Sequence, residues 1–133
     1  MKKLFVVILL LGIIGFGSLF LLLQRGQEGF DIKIINQTNK EASGLYLTYG
    51  NITSDIKLPT IQPGKDYKIN INPDEDFGEN SMTLYYRDKN GQIHKKTVFG
   101  YFEKGYNGNA VITLKSIEEN GKIKIKVIEK MLN

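Results

Sequence analysis

The chain has 133 residues, no cysteine and one histidine, with a formal net charge of +4. Lys2, Lys3 and Arg25 supply three of these charges, so residues 26–133 hold 15 basic and 14 acidic residues, a net charge of +1. The lack of cysteine excludes disulfides and a cysteine-linked lipid anchor, and the near-neutral charge offers no electrostatic surface for nucleic acid. Nucleic acid is therefore not an expected partner.

The first notable feature along the chain is Leu4–Leu23, twenty uncharged and mostly apolar residues. At about 1.5 Å per residue, a helix of this length spans roughly 30 Å, the thickness of the hydrocarbon core of a bilayer. A cleavable signal peptide is the alternative, but its apolar region is about 7–15 residues long and it ends in a small-residue cleavage site, which this segment lacks. We therefore predict an N-terminal tip and an uncleaved transmembrane anchor in residues 1–25, a short linker at 26–29 and one domain at 30–133.

The charges that flank the apolar segment predict its orientation. Lys2 and Lys3 precede it, whereas Glu28 and Asp31 follow Arg25. By the positive-inside rule, we expect a single-pass protein of the cell membrane with a cytoplasmic N-terminus and an extracytoplasmic C-terminal domain. Six residues, Gln24–Gly29, reach at most about 20 Å, which would keep the domain at the membrane surface. The composition, rich in lysine, isoleucine and asparagine, suggests a bacterial protein.

Apolar and polar residues alternate throughout the domain. The segments that show this pattern are Phe30–Ile34, Leu45–Tyr49, Tyr67–Ile71, Met82–Tyr86, Ala110–Leu114 and Ile123–Val127, and Gln92–Phe99 also resembles a strand. Such alternation predicts half-buried strands with one face on a core and the other in water. Seven or eight short strands predict an all-β fold, an antiparallel two-sheet sandwich of immunoglobulin-like type, with a small barrel as the alternative.

Turn residues lie between the alternating segments. Asn90-Gly91 and Asn120-Gly121 each predict a β-hairpin. Pro63-Gly64 suits the two central positions of a type II turn. Pro59 cannot donate a hydrogen bond to a neighbouring strand, so the segment Asp55–Gln62 is expected to be an edge strand or to be interrupted.

Few residues of the chain carry catalytic chemistry. His94, the one histidine, lies within a strand-like segment and is interpreted as an ordinary surface or packed residue. No serine lies in a nucleophile elbow, and a single histidine cannot supply the ligands of a zinc site. We therefore expect a protein that is not an enzyme and that has no cofactor.

The acidic loop Pro73–Asn80 has two interpretations. Asp74, Asp76 and Glu79 offer the carboxylate oxygens that calcium prefers, although their spacing departs from an EF-hand because Gly78 occupies the place of a third ligand. A solvated loop between strands is the favoured interpretation.

The lysines at 122, 124 and 126 also have two interpretations. They alternate with Ile123 and Ile125, so they share one face of a strand. Such a row contacts anionic lipid or polymer in some proteins. More often it is a solvated face whose lysines protect an exposed strand edge, which is the favoured interpretation.

The segment Val98–Gly108 is the main candidate for partner binding. It interleaves aromatic residues with glycines, and its pattern does not alternate. Tyrosines provide rigid, amphipathic contact area at binding surfaces. The alternative is that these aromatic rings close the end of the core. The predicted partner-binding residues are Tyr85, Phe99, Tyr101, Phe102 and Tyr106, with Tyr46 as a possible outward-facing neighbour.

These observations favour a membrane-anchored, non-catalytic module that binds a protein or peptide at the membrane surface. Within this class we expect a subunit of a membrane assembly or an immunity-type protein that intercepts a toxin. A binding domain for cell-wall glycan or a small ligand is the second hypothesis. A carboxylate-based hydrolase is the third, and it would require a pocket with two carboxylates about 5–10 Å apart.

Overall fold

The computed structural model describes residues 28–132, which form eight strands and no helix. The strands are β1 (Phe30–Asn36), β2 (Tyr46–Tyr49), β3 (Ile56–Lys57), β4 (Asp66–Ile71), β5 (Glu79–Arg87), β6 (Ile93–Glu103), β7 (Gly108–Ile117) and β8 (Ile123–Met131). They make two four-stranded sheets, sheet 1 in the order β4-β1-β7-β8 and sheet 2 in the order β3-β2-β5-β6. The predicted all-β sandwich is confirmed at this level.

The chain enters the sandwich at Gly29. This residue is buried, and its N–H donates to Asn107 Oδ1 at 2.7 Å. Its φ of +84° and its closeness to Ile71, whose carbonyl oxygen would lie 2.5 Å from an added Cβ, require glycine. The predicted anchor at residues 1–25 lies outside the described residues. Among residues 28–132, we find no helix with the length and apolar character of a membrane span.

The core fills the space between the inner faces of the two sheets. Along β1, buried Phe30, Ile32 and Ile34 alternate with partly exposed residues, as the period of two predicts. At one end of the core, the Phe30 ring lies 4.5 Å from that of Phe99 and 4.8 Å from that of Phe102, measured between ring centroids. These aromatic contacts join β1 of sheet 1 to β6 of sheet 2.

The pairing of β1 departs from the expected antiparallel arrangement. β1 pairs with β4 antiparallel on one side and with β7 parallel on the other. In immunoglobulin constant domains the first two strands are neighbours in one sheet, whereas here β1 and β2 lie in different sheets. Residues 37–45 make the crossing between sheets, so β1 and β2 do not form a hairpin. Alternation defines which face of a strand is buried, but it does not define the neighbouring strand.

The predicted turns are confirmed. The Asn90-Gly91 pair joins β5 to β6, and the Asn120-Gly121 pair joins β7 to β8. In the turn of Pro63-Gly64, the N–H of Lys65 donates to the Gln62 carbonyl at 3.1 Å, and Gly64 has a φ of +74°. β3 is an edge strand of two residues that ends before Pro59.

The buried side chain of Asn36 fixes the crossing from sheet 1 to sheet 2. Its amide nitrogen donates to the carbonyls of Lys40 at 2.8 Å and Ile61 at 2.9 Å. Its amide oxygen accepts from both the N–H and the hydroxyl of Thr38, at 3.0 and 2.7 Å. One side chain therefore satisfies backbone groups in two separate loops.

We predict that Asn36→Ala lowers the free energy of unfolding by about 2–4 kcal/mol, because buried polar groups lose their partners. The matched control is Asn39→Ala in the same loop, where the side chain is exposed, and its cost should be below about 0.5 kcal/mol. Denaturant unfolding of the purified protein measures both values. Equal stability of the two variants would contradict the structural role of Asn36.

Candidate functional site

The outer face of sheet 2 presents tyrosine and small hydroxyl side chains. Tyr85 of β5 lies opposite Tyr46 of β2 on one side and Lys95 of β6 on the other. Thr83 occupies the next outward position and lies between Thr48 and Thr97 in the same manner. The residues between these positions on β2 and β5, such as Leu47 and Leu84, are fully buried, so the tyrosines and threonines point away from the core.

Tyr46 and Tyr85 form a stacked pair on this face. Their ring centroids are 5.3 Å apart and their planes differ by 13°. The Tyr85 hydroxyl donates to the Asp55 carboxylate, and the Thr48 hydroxyl donates to the other oxygen of that group at 2.6 Å. The hydrogen bonds from Thr48 and Tyr85 lower the pKa of Asp55, and the bond to Asp55 raises the pKa of Tyr85. The tyrosine pair is therefore held in position before any partner binds.

A second tyrosine pair surrounds Glu103, where β6 ends. The rings of Tyr101 and Tyr106 meet edge to face with centroids 6.3 Å apart. The Tyr106 hydroxyl donates to Glu103 Oε2 at 3.1 Å. Hydrogen bonding to the same carboxylate, together with loss of solvation and the negative charges of Glu103 and Glu79, raises the pKa of Tyr101 to about 12. We call Tyr46, Tyr85, Tyr101 and Tyr106 the tyrosine face.

Phe99 and Phe102, which the sequence suggested as partner-binding residues, lie in the core. Both side chains are fully buried and pack on Phe30. Tyr101, between them in the chain, is 49% exposed. The phenylalanines of this segment therefore close the core, whereas Tyr101 is exposed and Tyr106 is partly buried against the core. Partner binding by the two tyrosines stays a prediction.

The structure does not bring Asp74, Asp76 and Glu79 together as a cation site. Within residues 28–132, no three acidic, histidine or cysteine side chains form a group suited to a metal ion. Asp76 instead accepts from Lys104 Nζ at 3.1 Å. The neighbouring Glu75 accepts from the buried Tyr49 hydroxyl at 2.8 Å, and loss of solvation and this bond raise the pKa of Tyr49.

His94 is a packed residue, as expected. Its ring stacks on Tyr86 with centroids 5.1 Å apart, and its Nε2 atom lies 2.8 Å from Asp88 Oδ2. The other carboxylate oxygen of Asp88 accepts from the backbone N–H groups of Asn90 and Gln92. The bond to His94 and these N–H groups lower the pKa of Asp88. This cluster closes the β5–β6 hairpin, which is a structural role.

A shallow cleft of about 520 Å³ lies between the edge strands β3 and β4. Its lining includes Tyr46, Lys57 and Tyr67, with Ser43 and Thr60 beside them. None of its lining residues is acidic, so this cleft does not provide the paired carboxylates that the hydrolase hypothesis requires.

Sequence reasoning missed the anchoring role of Asp55, which orients Tyr85 from outside β5. No motif marks Asp55, and its partners Thr48 and Tyr85 are 7 and 30 residues away in the chain. From the sequence, the parity of Tyr46 and Tyr85, each next to a leucine, indicated only that each side chain points outward from its strand.

Comparison with known proteins adds little to this geometry. No family model matches the chain, and no curated protein sequence matches it. Among solved structures, the chain resembles an NMR structure of a protein from Eubacterium rectale, with a TM-score of 0.47 and 16% sequence identity. The similarity covers 77% of this chain and 90% of that one. At this level of similarity, no property is transferred from that protein.

The neighbouring residues Phe102 and Tyr101 provide a direct test of which aromatic rings belong to the core. Phe102→Ala should lower the free energy of unfolding by about 3–5 kcal/mol, because it leaves a cavity beside Phe30. Tyr101→Ala should lower it by less than about 1 kcal/mol, since the side chain is half exposed. Denaturant unfolding distinguishes the two, and similar losses in both variants would contradict the assignment.

Glu103→Gln should lower the pKa of Tyr101 toward the ordinary tyrosine value of about 10, because it removes the negative charge that the hydroxyl contacts. Tyrosinate absorbance during alkaline titration measures this shift, and Tyr101→Phe identifies which part of the curve belongs to Tyr101. If the Glu103→Gln curve overlaid that of the wild type, the contact between Tyr101 and Glu103 would be disproved.

Proposed function

We propose that this chain is a single-pass protein of the cell membrane whose extracytoplasmic β-sandwich is a non-catalytic module that binds a protein or peptide partner. The N-terminus would be cytoplasmic, and the protein would act as a subunit of a membrane assembly or as an immunity-type protein. The observation that carries the proposal is the tyrosine face on sheet 2, an exposed or half-exposed surface outside the buried core.

The membrane anchor in this proposal is supported by the sequence. The twenty residues of Leu4–Leu23 carry no charge, and Lys2 and Lys3 precede them. Only the six residues Gln24–Gly29 separate Leu23 from Phe30, where the first described strand begins. A protein held so close to a bilayer meets partners that are themselves in or near the membrane.

The tyrosine face has the physical properties of a partner-binding surface. Tyrosine is enriched at protein interfaces because its ring provides apolar area and its hydroxyl provides a hydrogen bond. Here Asp55 orients the Tyr85 hydroxyl and Glu103 orients that of Tyr106. Side chains that are already ordered lose less conformational entropy when a partner binds.

The spacing of the two tyrosine pairs suits an extended peptide or a protruding strand. Lys95 lies beside Tyr85, and Tyr101 lies six positions further along β6, which corresponds to about 20 Å at 3.3 Å per residue. The hydroxyls of Thr83 and Thr97 lie between the pairs and supply further hydrogen-bond donors and acceptors. A partner segment of about six extended residues would contact both pairs.

A cell-wall glycan is the second candidate ligand. The same face combines aromatic rings with hydroxyl groups and with the carboxylate of Asp55, which can bond to sugar hydroxyls. This hypothesis predicts that the chain binds wall fragments and no protein partner. The experiment below distinguishes these two outcomes.

The test is in-cell crosslinking followed by affinity capture of the full-length protein from its native membrane. One variant carries Tyr101→Ala and Tyr106→Ala, and a second carries Tyr46→Ala and Tyr85→Ala. Both leave Phe99 and Phe102 unchanged, because losing these buried rings would destabilise the domain. The matched control replaces Glu118 and Glu119, two exposed residues of the β7–β8 hairpin, with alanine.

We expect one protein to be enriched with the wild type and the control and to be at least about tenfold depleted with each tyrosine variant, which corresponds to the loss of about 1.4 kcal/mol at a binding hot spot. Thermal unfolding of each variant verifies that the fold is intact. Equal enrichment with all four proteins would disprove binding through the tyrosine face. Capture of wall fragments in place of a protein would favour the glycan hypothesis.

A further inference from the structure

The outer face of sheet 1 has a chemistry opposite to that of the tyrosine face. Lysines and a few apolar side chains occupy outward positions there, whereas the inward positions of β1 are buried and Ile123, Ile125 and Val127 of β8 pack against the core. We call this surface the lysine face, and it consists of Lys33, Lys68, Lys124, Lys126 and Lys130 with Ile35, Val111 and Ile128.

The strand register makes the lysine face continuous across the sheet. Lys33 of β1 lies between Lys68 of β4 and Val111 of β7. Val111 in turn lies opposite Ile128 of β8. Ile128 is 59% exposed, and Lys126 and Lys130 occupy the outward positions on either side of it along β8. An exposed apolar side chain flanked by lysines is typical of surfaces that contact lipid headgroups.

Few acidic groups neutralise this surface. Lys33 Nζ lies 3.4 Å from Asp66 Oδ2, and Asp31 Oδ1 accepts from Asn70 at 2.9 Å. In the part of the chain that the structure describes, no salt bridge involves the other four lysines of the face. The face therefore has a net charge of +3, from five lysines against Asp31 and Asp66.

The end of the sandwich at which the chain enters has the opposite charge. Glu79 and Glu103 lie directly opposite each other in sheet 2, and Lys104 is bound to Asp76 of the acidic loop beside them. The same end holds Gly29, which contacts Asn107 of the β6–β7 turn. If the sandwich stood upright on its linker, these carboxylates would face the bilayer, and an anionic bilayer would repel them.

The linker leads into the sheet that carries the lysine face. Phe30 begins β1, a central strand of sheet 1, and the six residues before it reach at most about 20 Å. That distance is enough for the domain to tilt onto its side and too short for it to leave the membrane surface.

We propose that the lysine face lies on a bilayer of anionic lipid, so that the sandwich rests on sheet 1 and turns the tyrosine face away from the membrane toward a partner. This orientation rests on the proposed membrane anchor. The lysines attract the anionic headgroups, Ile128 contacts the interface, and the acidic end lies at the side of the domain.

The test uses the full-length chain reconstituted in vesicles, with one cysteine added to a chain that has none. Ser116→Cys places a fluorescent donor on β7, opposite Lys124 and far from the chain entry. Ser81→Cys places it on an exposed position of β5 near the acidic end. Energy transfer to acceptor-labelled lipid headgroups then reports which residue is nearer to the bilayer.

In vesicles with about a third anionic phosphatidylglycerol, we expect more efficient transfer from residue 116 than from residue 81. The order should reverse in pure phosphatidylcholine and also in about 1 M salt, where charges are screened beyond about 3 Å. Lys124→Gln with Lys126→Gln should reverse the order in anionic vesicles. The matched control, Lys57→Gln with Lys95→Gln on sheet 2, removes the same charge and should leave the order unchanged.

More efficient transfer from residue 81 under every condition would show an upright domain and overturn the proposal. The proposal would also be overturned if the relative transfer from residues 116 and 81 were the same with and without anionic lipid but changed when soluble polyphosphate was added. That result would favour an anionic polymer as the ligand. Flotation of the vesicles reports separately on the anchor. If the protein failed to float, the anchor and this orientation would both be disproved, whereas an upright protein that floats would disprove the orientation alone.

Discussion

The position of β1 between β4 and β7 is the constraint on which the remaining structure depends. Both edges of this strand are hydrogen-bonded, on one side to β4 antiparallel and on the other to β7 in parallel. The parallel pairing joins residues nearly 80 positions apart in the chain. It places the chain entry at Gly29 beside the β6–β7 turn, and it sets Phe30 between Phe99 and Phe102.

The same pairing gives the domain two outer faces with different chemistry. Sheet 1 gathers lysines from β1, β4 and β8, and sheet 2 gathers tyrosines and threonines from β2, β5 and β6. A two-sheet sandwich buries only the inner face of each sheet, so the outer faces are available for other functions. One face turned toward a membrane and the other toward a partner would use both surfaces of one small domain.

The aromatic segment at 98–108 shows how an exposed surface and a core are built from adjacent residues. Phe102 has no polar atom and is fully buried, whereas the hydroxyls of Tyr101 and Tyr106 share the carboxylate of Glu103 at the surface. Tyrosine can take such a position because its ring is apolar and its hydroxyl finds a hydrogen-bond partner at the surface. Replacing Phe102 together with the tyrosines would lower the stability of the domain. A loss of partner binding in such a variant could then not be assigned to the exposed tyrosines.

The sequence by itself determined the all-β class, the positions of the strands, both Asn-Gly hairpins and the Pro63-Gly64 turn, because these follow from side-chain period and local backbone preference. It also indicated that Tyr46 and Tyr85 each point outward from their strands. Only the tertiary structure decided which strands are neighbours, that β1 pairs with β7 in parallel, that Phe99 and Phe102 are buried, and that Asp55 holds Tyr85. These features join residues far apart in the chain, and the short-range pattern that defines a strand contains no information about its partner.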